Sequence, residues 1–208
     1  MTDLLITLDT PLKFTAPRGV AYAGRGSWHL PQGDQPGEWM RDYKTKPILC
    51  ERGYHWCEAR HAIHHLHAEC WLIEPRGETV RGDDKCVSQG GRLLRRVETW
   101  TGRTARLFAA DCAEAVVHLC GDDPRPRAAI DVARRHARGQ ASTDDLAAAW
   151  AAARAAAWAA ARDAARAAAS AAACAAARDA AWDAAWAAAR DAQTQLLLRY
   201  LNGETGHD

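Results

Sequence analysis

Hydrophobic and polar positions follow two different patterns along the chain. Up to about Trp100, short apolar or β-branched runs alternate with turn-forming residues, as is typical of strands and loops. From Thr101 onward, apolar residues recur at intervals of three and four, which indicates helices with one apolar face. We therefore expect an α+β protein, in which a small mixed sheet with one helix precedes an all-helical unit ending in a long Ala-rich helix.

The N-terminal half contains five predicted strands and one predicted helix. Turns rich in Pro and Gly separate the strands, and the helix is expected from Cys57 to His67. The predicted strands cover Leu4 to Leu8, Gly19 to Ala23, Cys70 to Glu74, Thr79 to Arg81 and Lys85 to Ser88.

Two helices with clear ends follow. The first is expected from Thr104 to Cys120. The second begins at Asp123, whose side chain is suited to cap a helix N-terminus, and has Pro124 in its first turn. It ends at Gly139, because glycine readily adopts the left-handed conformation that terminates helices. We expect three units, comprising residues 1–100, 101–141 and 142–202.

The third predicted helix is dominated by alanine. It opens at Ser142, where Asp145 can complete a capping box, and no residue stops it before Asn202. Between Ala147 and Ala192, 31 of 46 residues are alanine, and every fourth position is large or polar. Four residues turn an α-helix by about 400°, so this repeat drifts around the helix, but its four tryptophans stay within an arc of about 120°. They are Trp150, Trp158, Trp182 and Trp186.

The Ala-rich tract has two possible arrangements. Alanine has the highest helix propensity and the tract lacks Gly and Pro, which favours one straight helix. A hairpin broken near Ala168 is the alternative. A projecting Ala-rich helix buries little area, so we expect it to pack against a second copy through the tryptophans and form a homo-oligomer. A solvated spacer is the other interpretation.

Composition and charge argue against several classes of protein. Lys and Arg number 27 against 26 Asp and Glu, and the net charge of +1 argues against nucleic-acid binding through positive charge. Uncharged apolar runs of about 18 residues are absent, and the N-terminus does not resemble a leader, so neither a membrane span nor a signal peptide is expected. The seven cysteines lack the spacing of a disulfide framework, which predicts reduced thiols and a cytoplasmic location.

One segment contains the residue types of a metal site. Residues 50–70 concentrate thiols and imidazoles, which zinc prefers, although the spacing is not that of paired zinc-binding cysteines. The alternative is a helix whose cysteines pack on the sheet. Because common nucleophile, nucleotide and metalloprotease motifs are absent, we expect neither an enzyme nor a cofactor other than zinc. The candidate zinc ligands are Cys50, His55, Cys57 and His61.

Charged residues of both signs concentrate around the turn between the first two helices. They are suited either to an ion-pair network within the protein or to a surface that binds a charged partner. These candidate binding residues are Asp111, Glu114, Asp122, Asp123, Arg125, Arg127 and Arg134.

Around this turn the chain resembles a known family. The string from Asp111 to Leu119, followed by Gly121 to Arg127, is similar to the immunity-protein-5-like helical domain of bacterial polymorphic toxin systems, over about residues 104–200. The N-terminal half resembles a phage and bacterial family of uncharacterised proteins. The segments that carry this second resemblance are Leu49 to Cys57, Gly82 to Val87 and Arg92 to Trp100.

These resemblances imply a non-catalytic protein that neutralises a protein partner by occluding it, in an immunity-like or phage-conflict role. Two alternatives stay open. One is a structural or assembly protein that oligomerises through the Ala-rich helix, and the other is a zinc-binding module.

Overall fold

The computed structural model describes residues 5–21, 26–120, 122–155 and 175–205, and it confirms the α+β class. Four strands, β1 to β4, close into a small barrel in the order β1-β2-β4-β3. All their pairings are antiparallel, so the sheet is antiparallel rather than mixed. The strands are β1 Pro11–Thr15, β2 Tyr54–Glu58, β3 Glu69–Arg81 and β4 Cys86–Arg96.

Two of the predicted strands are parts of one longer strand, β3. The predicted strands from Cys70 to Glu74 and from Thr79 to Arg81 both belong to β3, because the Pro- and Gly-containing segment between them does not end the strand. The ladder with β4 shifts register between Arg76 and Thr79, and Gly77 there has a φ of 77°. A β-bulge of this kind accommodates turn-forming residues within a strand.

Three other predictions for this half were wrong. Residues 5–8 of the first predicted strand are not in a strand, and Gly19 closes a short 3-10 helix, Pro17–Gly19, rather than beginning a strand. The predicted helix from Cys57 begins instead as the end of β2, followed by a 3-10 helix, Ala59–His64. The alternating pattern from Tyr54 to Glu58 favoured a strand, and the His-rich sequence after it obscured that signal.

The strands of the barrel bury apolar side chains on both of their faces. A cluster lies on the first face, and a second layer of buried side chains lies on the other. Phe14 belongs to the second layer, where its ring meets that of Trp100 edge to face at 6.2 Å. Leu12, Cys70 and Leu72 are buried with it. The cluster on the first face consists of Trp28, Trp56, Trp71, Ile73, Cys86 and Leu93.

An extended segment covers the edge of β4 that β2 leaves free. The backbone N–H groups of Gly37, Met40 and Tyr43 donate hydrogen bonds of 2.8–2.9 Å to carbonyl oxygens of β4. Gly90 permits this approach, because a Cβ at that position would overlap the carboxylate of Asp42. The segment thereby supplies pairing that an exposed strand edge otherwise lacks.

The end of the chain completes the barrel unit, which comprises Met1–Thr101 and Thr194–Asp208. Leu197, Tyr200 and Leu201 are buried. The Asn202 side chain accepts a hydrogen bond from the Ile6 N–H at 2.8 Å and donates one to the Ile6 carbonyl at 3.0 Å. The last turns of the final helix are therefore part of the barrel's core.

The second unit, Gly102–Gln193, is helical. Its elements are α1 Gly102–Val116, α2 Pro124–Ala137, α3 at residues 143–155, and the first part of α4 Ala175–Leu201. Ala110, Val117 and Ile130 form a small buried cluster between the first two helices. Among the helices described, none has both the length and the hydrophobicity needed to cross a membrane.

The predicted ends of α2, the start of α3 and the end of α4 are confirmed, whereas the first helix begins two residues early, at Gly102, and gives way to a 3-10 helix, Val117–Cys120. Asp123 accepts a hydrogen bond from the Arg125 N–H at 2.9 Å, and Gly139 follows α2 with a φ of 73°. Ser142 and Asp145 form a capping box, in which the Asp145 N–H donates to the Ser142 hydroxyl at 3.1 Å and the Ser142 N–H donates to the Asp145 carboxylate at 2.9 Å. The last helix ends at Leu201, before Asn202. The choice between a straight tract and a hairpin near Ala168 lies outside the described residues.

Candidate functional site

A cavity of about 680 Å³ opens in the barrel unit where β1 and β2 separate. These strands pair at only two positions, Pro11 with Glu58 and Leu12 with Cys57. Beyond them, Lys13 and Phe14 pair with β3, whereas Tyr54 and His55 pair with β4. Side chains of both strands line the resulting opening, whose volume lies within the range of about 300–1,000 Å³ found for ligand pockets.

Lys13 places a cation in the wall of this cavity. Its Nζ donates a hydrogen bond to the His55 carbonyl oxygen at 2.7 Å and lies 5.7 Å from the centre of the Trp28 ring. Burial lowers the pKa of Lys13 from its ordinary value of 10.5 to about 8. Within the described part of the chain, no carboxylate forms an ion pair with this ammonium group.

Trp56 adds a second donor to the cavity wall. The residue is 5% exposed, and its indole Nε1 has no hydrogen-bond partner among the described residues. Trp71, which lies on the same face, instead donates its indole N–H to the Thr15 hydroxyl at 3.0 Å. A buried donor without an acceptor is uncommon in native proteins, because it loses its hydrogen bond to water without replacement.

Aromatic side chains form a continuous row along the same cavity. The Trp28 ring lies 5.3 Å from that of Tyr54, and Tyr54 lies 5.4 Å from Tyr43, so the row extends from a buried indole to a partly exposed phenol. Burial, followed by the neighbouring Tyr43 and Asp42, raises the pKa of Tyr54, which keeps its hydroxyl neutral. Flat apolar groups bind favourably against such rings.

The Cys57 thiol and the His55 imidazole near the cavity are both held in their neutral forms. Burial raises the pKa of Cys57 to about 12, so its sulfur stays protonated at neutral pH. Burial, assisted by Lys13 and Lys85, lowers the pKa of His55 and keeps the imidazole neutral. Its Nε2 already accepts the Cys50 N–H at 2.8 Å.

The predicted zinc ligands do not form a metal site. The described residues contain no group of three or more Cys, His, Asp or Glu side chains suitably placed for a metal ion. Cys50 is exposed and Cys57 is buried beneath β1, with its sulfur 3.8 Å from the Leu12 carbonyl oxygen. His61 belongs to the 3-10 helix, rather than to the α-helix that was expected from Cys57 to His67.

Six of the seven charged residues predicted as a binding surface form two separate ion-paired groups. Arg134 bonds Asp111 at 2.9 Å and Glu114 at 3.3 Å, and Arg127 reaches the same glutamate at 3.5 Å, which links α1 to α2. Asp123 pairs locally with Arg125, which lowers the pKa of Asp123 to about 2. Asp122 lies in the turn and is exposed.

The tryptophans predicted to mediate self-association are only partly described. Trp150 on α3 is 63% exposed and Trp186 on α4 is 53% exposed. The Arg190 guanidinium lies 6.0 Å from the Trp186 ring. Trp158 and the side chain of Trp182 lie outside the described residues.

Sequence reasoning missed the cavity residues Lys13, Trp28, Trp56 and Tyr54. The alternation of Leu12, Lys13, Phe14 and Thr15 was an available signal for a strand, with Lys13 on the face opposite Leu12 and Phe14. That Lys13 faces Trp71 depends on pairing across more than fifty residues, which periodicity cannot reveal.

Comparisons of the chain with protein-family models, with curated proteins and with solved structures returned no match.

Proposed function

We propose that this chain is a non-catalytic binding protein and that the cavity between β1 and β2 is its binding site. One observation carries the proposal: a cavity of ligand size has in its wall the Lys13 ammonium group, with which no carboxylate forms an ion pair within the described part of the chain. A cation that is partly removed from water and has no opposite charge beside it is costly, so one in the wall of a pocket of ligand size is suited to an acceptor group of a ligand.

A non-catalytic role agrees with the chemistry of the cavity. The raised pKa of Cys57 removes the thiolate that nucleophilic catalysis needs, and His55 is already engaged by the Cys50 N–H. In the immunity-like or phage-conflict role implied by the resemblance, a group of a protein partner enters the cavity. This chain thereby covers the surface of the partner around that group. The six described cysteines are free, which supports a reducing, cytoplasmic location for this role.

The test is a thermal-shift screen with acidic, neutral and basic aromatic compounds. We expect at least one compound to stabilise the native chain, and Ser27→Trp, which fills the cavity wall with a larger side chain, to abolish that stabilisation. Asp34→Trp, at an exposed turn that does not line the cavity, is the matched control and should respond like the native chain. Failure of the whole panel, or equal stabilisation of Ser27→Trp, would refute the cavity as a binding site.

A second candidate function is assembly of several copies through the Ala-rich tract. The observation that favours it is the exposure of the large indole rings of Trp150 and Trp186 on helices rich in alanine. Exposed aromatic side chains of this size are enriched at protein interfaces. Light scattering over a range of concentrations tests this candidate, and a mass that stays monomeric throughout rejects it.

A further inference from the structure

The donors and aromatic rings of the proposed binding site determine which class of ligand it prefers. We propose that the cavity receives an oxyanion, a carboxylate or a phosphate, carried on a flat apolar group. This inference rests on the proposed function, since it names the class of ligand for the same cavity.

The first step is the hydrogen-bonding capacity of Lys13. An ammonium group has three N–H donors, and in the described part of the chain one of them goes to the His55 carbonyl oxygen. Trp28 offers its ring face to the same cation, at a distance of 5.7 Å from the ring centre. A cation so placed, with donors left over and no carboxylate beside it, is complementary to an anion.

The second step is the unpartnered Nε1 of Trp56. Cross-strand register places Trp56 and Lys13 on the same face, because Leu12 lies opposite Cys57 and the pairing is antiparallel. An indole nitrogen is only ever a donor, so the ligand atom that satisfies it must be an acceptor. An oxyanion provides several acceptor positions, which matches a wall whose side chains on this face carry donors.

The third step concerns the rest of the cavity wall. Lys85 also lines the cavity but pairs with the Asp84 carboxylate at 3.8 Å, and among the described lining residues the one carboxylate belongs to the exposed Glu51. The aromatic row of Trp28, Tyr54 and Tyr43 supplies flat apolar surfaces beside the cationic part. A ligand that combines an oxyanion with a planar group therefore matches both parts of the wall.

Calorimetry with three matched probes tests this preference. The probes are 1-naphthoate, the neutral 1-naphthamide and the cationic 1-naphthylmethylamine, which share one ring system and differ in charge. We expect the native chain to bind the carboxylate about tenfold or more tightly than the amide, which is the range for a charge-assisted hydrogen bond, and to reject the amine.

Two substitutions locate the anion. Lys13→Met should remove the preference for the carboxylate over the amide. Trp56→Phe keeps a ring but removes the unpartnered N–H, and should weaken carboxylate binding about five- to tenfold without lowering thermal stability. Lys46→Met, an exposed lysine outside the cavity lining, is the control for net charge and should leave affinity unchanged.

Binding measurements with two dipeptides test whether the anion belongs to a free small molecule or to a protein partner. An acetylated and amidated Trp-Glu dipeptide is compared with its Trp-Gln counterpart and with naphthoate. Tighter binding of Trp-Glu than of naphthoate assigns the anion to a protein partner. Tighter binding of naphthoate assigns it to a free compound. Equal binding of carboxylate and amide, tighter binding of the amine, or unchanged affinity in Trp56→Phe overturns the inference. Those outcomes leave the proposed function standing, whereas failure of the whole screening panel, or equal stabilisation of Ser27→Trp, removes both.

Discussion

Lys13 is a residue at which stability and binding oppose each other. A lysine whose pKa falls to about 8 loses free energy by being charged in the folded state at neutral pH. Cys57 carries no such cost at neutral pH, because burial raises its pKa and its thiol is already in the neutral form that burial favours. The fold retains a destabilising cation in a cavity wall, as is common where a group serves function rather than stability.

We expect Lys13→Met to stabilise the chain at pH 7 by about 1–3 kcal/mol, since methionine fills a similar volume without the burial penalty. Because the folded-state pKa lies below the ordinary 10.5, the unfolded chain binds more protons between about pH 8 and 10.5, and the free energy of unfolding of the native chain rises with pH in that window. Urea denaturation measures both, and the advantage of Lys13→Met should shrink from pH 7 to pH 10. An advantage that is independent of pH would contradict the lowered pKa.

At the scale of elements, the parts that could be predicted from sequence were those governed by neighbours along the chain. The caps at Asp123, Ser142 and Gly139 each depend on residues within five positions, and the structure confirms them. By contrast, β3 was divided at Gly77 because a β-bulge keeps turn-forming residues within the strand, and β1 was missed because its partners lie more than forty positions away in the sequence. The cavity was missed for the same reason, since it exists only where β1 and β2 separate.

The contact between Asn202 and Ile6 fixes the end of α4 to the N-terminal segment of the barrel unit. Asn202→Ala removes two hydrogen bonds to partly buried backbone groups, so we expect the free energy of unfolding to fall by about 1–2 kcal/mol. Urea denaturation followed by tryptophan fluorescence measures this loss. Gln195→Ala, at an exposed position of the same helix, is the control and should change stability by less than about 0.5 kcal/mol.

The ion pairs between α1 and α2 differ in exposure, and their contributions should differ accordingly. The Arg134 side chain is 23% exposed and bonds two carboxylates of α1, whereas Arg127 is 57% exposed and reaches one at 3.5 Å. We expect Arg134→Met to cost about 1–2 kcal/mol and Arg127→Met less than about 0.5 kcal/mol. Hydrogen exchange of the α2 amides reports the local loss, and equal protection in both variants would reject Arg134 as the main link.

At the scale of the whole molecule, the two units are not consecutive in sequence. The chain leaves the barrel unit after Thr101 and returns to it at Thr194, within α4. Composition changes there as well, since the Ala-rich tract gives way to the run Leu196, Leu197 and Leu198. The buried side chains of that last stretch contribute to the barrel's core, so α4 belongs to both units.

The exposed tryptophans of the helical unit lead to a prediction about assembly. The double variant Trp150→Ala, Trp186→Ala removes the two largest exposed apolar rings described in this unit. We therefore expect its sedimentation coefficient to lose its dependence on protein concentration. Helix content by circular dichroism should be unchanged, since alanine favours helix more than tryptophan does. Leu5→Ala, which removes a 62% exposed leucine from the barrel unit, is the control and should leave association intact. If the double variant associates as strongly as the native chain, the indoles do not form the interface.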